Sequence, residues 1–171
     1  LVLIHGTVSK KAVTNNNTTT YTGGNVFGGG LGSDAVVTSN PTVNVGYIAS
    51  MSELVTSLLP TNTSLSTASV TVACDIYGGG EEAAVSGNSL VTVQQGSVDN
   101  MTITTAVTGN VFGGGKAANV NGAPTVNING GSVSTGVYGG CNTSGTVSGD
   151  ITVNVTNGTI GAAAQGTQGE L

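Results

Sequence analysis

Arginine and tryptophan are absent from this 171-residue chain, and charge of either sign is scarce at 6% of residues. The bases are Lys10, Lys11 and Lys116, set against eight acids for a formal net charge of −5. A nucleic-acid-binding surface needs a basic stripe interleaved with stacking aromatics, and neither exists here, so no nucleic-acid partner is expected. No apolar run approaches the roughly 18 residues of a membrane-spanning helix. Leu1 to Ile4 is too short for a signal-peptide core, and a start at Leu1, already inside an apolar run, reads as an excised or processed piece of a longer chain. What is abundant points one way. There are 29 glycines, 37% hydrophobic residues and a mean hydropathy of +0.22, with Val, Thr, Asn and Ser in visible excess. That much apolar content argues against disorder, and its β-branched character suits short strands joined by Gly- and Asn-rich turns.

One phrase recurs along the chain. Aligning on an aromatic followed by glycines puts Phe27, Tyr77, Phe112 and Tyr138 in one column, preceded by Val26, Ile76, Val111 and Val137. The register continues through Val37, Val85, Val120 and Val147, then Val43, Val91, Val126 and Val153, then Val45, Val93, Ile128 and Val155. It predicts a closing column of Ile48, Val98, Val133 and Ile160, with Gly6, Gly96, Gly131 and Gly158 aligned just before it. Leu1 to Val8 fits the tail of an earlier unit. Such a repeat cannot bury its apolar side alone and does so by stacking on its neighbours. Alternation as in Thr125-Val126-Asn127-Ile128-Asn129 has period two, hence strand. The expected fold class is all-β: a parallel, right-handed β-helix solenoid of four coils plus a partial one, about 20 to 25 Å tall at ~4.8 Å per coil. Residues 1–171 are expected to form one segment, with insertions at 9–24, 49–75 and 99–110, all at a single loop-bearing corner. Within the second, Met51, Leu54, Val55, Leu58 and Leu59 recur at helical spacing until Pro60, which predicts a short amphipathic helix over 52–59, packed on the stack or contacting a partner.

The chemistry-bearing residues are few. Polysaccharide-cleaving β-helices need convergent carboxylates or a carboxylate-held metal. By register, Asp75 stacks with Asn25 and Asn110, and Asp150 with Asn88, Asn40 and Ala123, so no two acids share a column. Glu81 aligns with Lys116 of the next unit, which predicts an ion pair. His5 has no neighbouring ligands, and Gly113-Gly114-Gly115-Lys116 lacks the hydroxyl residue and leading glycine of a phosphate loop. No catalytic, cofactor or metal site is therefore expected. Cys74 and Cys141 fall two units apart, beyond a disulfide's reach of about 7 Å, and are expected as free thiols. Two surfaces remain as binding candidates. The rings Phe27, Tyr77, Phe112 and Tyr138 form a stacking ladder if they face outward, and Phe/Tyr interchange places their edges near solvent. The Thr42/Asn44, Thr92, Thr125/Asn127 and Thr152/Asn154 face is a flat polar array of the kind ice-binding solenoids display, though Leu90 interrupts it.

The pattern Val-Phe/Tyr-Gly-Gly-Gly followed by Val-x-Val/Ile-x-x-Gly-x-Val resembles the repeats of large bacterial cell-surface and secreted adhesin-like β-helix proteins, including autotransporter-passenger-like chains. The resemblance covers most of the chain outside the insertions. It implies an extracellular or cell-surface setting and a non-catalytic structural or adhesive role, and does not specify a ligand; a surface glycan or a host or cell-surface protein is the partner expected of such a role. A carbohydrate-active β-helix enzyme is the alternative it leaves open. The apolar strand Leu1 to Val8 and the run Gly161-Ala-Ala-Ala without a polar cap separately predict stacking on neighbouring coils, either of a longer polypeptide or of another copy.

Overall fold

The computed structural model describes residues 1–4, 6–15, 18–46, 67–98 and 101–161. Every regular element among them is a β-strand, in the order β1 (Val2–Ile4), β2 (Thr7–Val8), β3 (Lys11–Asn15), β4 (Thr18–Thr22), β5 (Val26–Phe27), β6 (Thr42–Gly46), β7 (Thr67–Val72), β8 (Ile76–Tyr77), β9 (Leu90–Gln94), β10 (Gly96–Val98), β11 (Met101–Val107), β12 (Val111–Phe112), β13 (Thr125–Val133), β14 (Val137–Tyr138) and β15 (Thr152–Ile160). The fold is all-β and mostly parallel, which is consistent with a β-helix.

Equivalent positions of successive repeats pair side by side. The two-residue strands β5, β8, β12 and β14 form a parallel sheet in the order β14-β12-β8-β5, with Val26, Ile76, Val111 and Val137 in one row. Single parallel bridges link Val37, Val85, Val120 and Val147. Then β1, β6, β9, the first half of β13 and β15 line up, with Val2, Val43, Val91, Val126 and Val153 in register. Strand β13 bends at Gly130 and Gly131, the latter at φ +85°, and its second half pairs with the end of β11. One hydrogen-bonded sheet thereby turns a corner, and β7 and β2 continue it beyond β11.

The core lies between these rows. Val43, Val45, Val91, Val93, Val126 and Ile128 are fully buried, as are Val72, Val107, Val133, Ile76 and Val111. A buried Val side chain stabilises by about 1.5–3 kcal/mol, so rows made mostly of valine, with Ile76, Ile103 and Ile128 among them, hold the repeats together. Where the ladder lapses at corners, asparagine splices it. Asn40 Oδ1 accepts from the Asn88 N–H at 2.9 Å, Asn88 Oδ1 from Ala123 N–H at 2.8 Å, and Asn119 Oδ1 from Thr146 N–H at 2.9 Å.

Two expectations need correction. The register puts Val8, Val72, Val107, Val133 and Ile160 in the closing column, so Val98 does not belong to it; Ile48 lies outside the described residues. Gly6, Gly131 and Gly158 do share a column, but its other members are Val70 and Thr105 rather than Gly96. Within the expected insertions 49–75 and 99–110, Thr67–Val72 of β7 and Thr102–Val107 of β11 pair side by side as stacked strands, while 49–66 lie outside the described residues. The first insertion carries an antiparallel hairpin, β3 with β4, and the last carries a second, β10 with β11. The helix expected from Met51, Leu54, Val55, Leu58 and Leu59 lies outside the described residues, as does His5.

Candidate functional site: the ring column and its corner

In a two-residue strand one side chain faces the core and its neighbour faces away. Val26, Ile76 and Val111 belong to the core cluster, and the rings that follow them do not. The rings instead stack on one another along the axis. Centroids are 4.8 Å apart from Phe27 to Tyr77, 5.0 Å from Tyr77 to Phe112 and 5.0 Å from Phe112 to Tyr138, with interplanar angles of 7°, 5° and 14°. The spacing is that of paired strands, so the rings stack because their backbones do.

Facing away from the core does not leave them open. Tyr77 is 1% exposed and Phe112 6%, whereas Tyr138, in the last repeat, is 50% exposed. Both faces of Tyr77 and of Phe112 are covered by rings, so neither offers a face to a sugar. The expectation that ring edges lie near solvent fails at Tyr77 for a specific reason. Its hydroxyl donates to Asp75 Oδ2 at 3.1 Å and accepts from Asn142 Nδ2 at 2.9 Å. Burial pushes the Tyr77 phenol up to about 12, Asn142 opposing the shift and the Asp75 carboxylate adding to it. Asp75 is in turn held by Asn110, whose backbone N–H and side-chain amide both donate to Oδ1, at 2.7 and 3.1 Å, while its own N–H donates to Asn25 Oδ1 at 3.1 Å. The partner was legible in sequence, because residues two apart on a strand share a side and Asp75 stands two before Tyr77.

The glycines after Phe27, Tyr77 and Phe112 are required by the stacking, whereas Gly140 in the last repeat has open space around it. A Cβ on Gly113 would meet the Gly139 carbonyl at 2.5 Å, and one on Gly114 would meet the Cys141 backbone nitrogen at 2.8 Å. The N–H of Gly113 donates to the Tyr138 carbonyl and that of Gly114 to the Gly140 carbonyl. Those donors are engaged between repeats rather than cradling an anion, and Lys116 Nζ sits 2.7 Å from Glu81 Oε1 in the aligned ion pair. At exposures near one third, that pair contributes little stability.

The remaining candidates are scattered. Asp34 takes a long 3.4 Å bond from the Ser33 hydroxyl. Among the described residues no group of three or more His, Cys, Asp or Glu side chains could hold a metal. Cys74 and Cys141 are unpaired, and the Cys141 thiol donates to the Ala118 carbonyl at 3.3 Å. On the Thr/Asn face the rows align as read, with Thr42, Leu90, Thr125 and Thr152 in one and Asn44, Thr92, Asn127 and Asn154 in the next. The Asn154 amide donates to Asn127 Oδ1 at 2.9 Å, along the axis rather than outward. No described helix is long and apolar enough to cross a membrane.

The last repeat is far more exposed than its predecessors. Val153, Val155 and Ile160 occupy the columns of Val126, Ile128 and Val133, yet are 41%, 52% and 41% exposed where those are 0%. Ile151 beside them is 53% exposed. No protein family, curated protein or solved structure matches the chain.

Proposed function

We propose that the chain is a right-handed parallel β-helix of four coils plus a partial one, acting as a non-catalytic structural and adhesive module at a bacterial cell surface or outside the cell. Its coils stack end to end with those of a second copy. The resemblance of its repeats to adhesin-like chains supports the setting. The observation that carries the assembly is the apolar row Val153, Val155 and Ile160, exposed on a strand that among the described residues pairs with β13 alone. An unpaired, uncharged strand edge of that length is a template for another strand. The opposite edge of the sheet offers the match. Val2 and Ile4 of β1 lie in the Val43 and Val45 columns, and Val8 of β2 in the Val72 column.

Joining the described ends in register gives a joint that is continuous along both long faces and one rung of about 4.8 Å short on the ring face, where β5 is the edge strand among the described residues. Association therefore depends on β15 rather than on Tyr138. Sedimentation velocity is expected to show concentration-dependent species larger than one chain, reduced to single chains by Val155→Lys and unaffected by Tyr138→Ala. Single chains at every concentration would contradict the assembly.

A further inference from the structure

We infer that the bend between the two long faces carries a binding groove for neutral, hydroxyl-rich carbohydrate; this rests on the adhesive reading above and gives it a location and a ligand class. The groove arises from a mismatch between repeats. The chain leaves β9 at Gln95, runs out through the β10–β11 hairpin and returns at Thr105. The two following repeats turn the same corner directly, through Gly130–Gly131 and Gly158. A hollow of about 470 Å³ lies where the hairpin's base meets those tight turns, large enough for a mono- or disaccharide.

Its lining selects the ligand by elimination. Gln95 and Thr104 stand on one side and Ser132, Asn157 and Thr159 on the other. The floor is Gly131 and Gly158, at φ +85° and +113°, with Ala106 beside them. Every lining residue is uncharged, so nothing there recognises a phosphate, a uronate or a cation. Ala106 is the largest apolar side chain present, so the hollow has no pocket for the alternate side chains that give a bound peptide strand its specificity. What remains is amides and hydroxyls: the Thr104 hydroxyl already bonds Ser69 Oγ at 3.3 Å and Asn157 Oδ1 accepts from the Gly158 N–H at 2.9 Å, which leaves the Gln95 amide and the Ser132 and Thr159 hydroxyls to donate and accept in a pattern that matches vicinal hydroxyls. Without an aromatic platform each site binds weakly, with a Kd of about 1–10 mM. End-to-end copies would repeat the site along the assembly and raise its avidity.

Saturation-transfer NMR observes the free sugar and works whether the protein is single or stacked. The probes are maltose, lactose and cellobiose, with digalacturonate and the peptide Val-Thr-Val-Thr-Val as contrasts. At least one neutral disaccharide is expected to give a saturable signal that falls about tenfold in Ser132→Val/Thr159→Val and severalfold in Gln95→Ala, while Thr42→Val on the flat face leaves it unchanged. Valine favours strands, and Gln95 lies outside the ladder, so neither variant should disturb the fold, which circular dichroism checks. No signal from any neutral disaccharide, a signal that survives both groove variants, or binding of only digalacturonate or the peptide would each overturn the groove. If sugar binds in a manner the groove variants do not touch, the groove fails and the adhesive reading stands. If no sugar binds and sedimentation shows single chains, both fail.

Discussion

Tyr77 shows how a residue turned away from the core is nonetheless fixed. Its ring is held between two others, and its hydroxyl joins Asp75, just before its own strand, to Asn142, two repeats on. Phe occupies the same column where the residue two before it is Asn25 or Asn110, and Tyr77 follows Asp75, the member of that row able to accept a phenolic proton without offering one in competition. Because the folded-state pKa of Tyr77 is raised, from 10.0 to about 12, its contribution to stability is complete below about pH 10 and is lost as pH rises towards about 12. Tyr77→Phe is expected to cost about 1–2 kcal/mol at neutral pH, by leaving Asp75 and Asn142 short of a partner. In urea unfolding the difference between wild type and Tyr77→Phe should shrink across that alkaline window. A difference that stayed constant from neutral pH to the top of the window would show that the hydroxyl does not bridge those groups. The ring column itself, the Glu81–Lys116 pair and the Asn25–Asp75–Asn110 row were all legible in the sequence, because each depends on register alone. The burial of Tyr77 was not, because it depends on Asn142, which sits in the column of Glu81 and Lys116 and reaches the hydroxyl by side-chain length that no alignment encodes.

At the scale of elements, alternation decides everything about β13. Val126 and Ile128 point inward and are fully buried, while Thr125 and Asn127 are half-buried on the outer face. Val126→Ala is expected to cost about 2–3 kcal/mol and Thr125→Ala less than about 1, by chemical denaturation. A one-residue slip in register would reverse that order, so the ranking tests the strand's facing directly. The strands with two alternating apolar residues were readable for the same reason. The closing strand was not, because it contributes a single valine to the column. Val98 stands five residues after Val93, the same spacing as Val133 after Ile128 and Ile160 after Val155, and so matched the column by distance, whereas Ile48 follows Val45 by three. The discriminating signal lay on the other side: the spacing of four from Val133 to Val137 recurs from Val72 to Ile76 and from Val107 to Val111. The hairpin of β3 and β4 also had a signal, two runs of strand-forming residues around Asn16-Asn17. It was absorbed into an insertion because its partner strands lie within one loop rather than in successive repeats.

At the scale of the molecule, one arrangement underlies the rest: equivalent residues of successive repeats are neighbours although 26 to 64 positions separate them in the chain. The asparagine splices, the glycine approaches, the ring column, the open end row and the groove at the bend all follow from it. The most direct test is a NOESY spectrum of the Val155→Lys protein with valine and isoleucine methyl groups labelled. Cross-peaks are expected from Val43 to Val91, from Val91 to Val126 and from Val126 to Val153, and in the neighbouring column from Val45 to Val93 and from Val93 to Ile128. Methyl contacts joining residues of different columns in place of these, or no contact between successive repeats, would contradict the stacked arrangement and everything built on it.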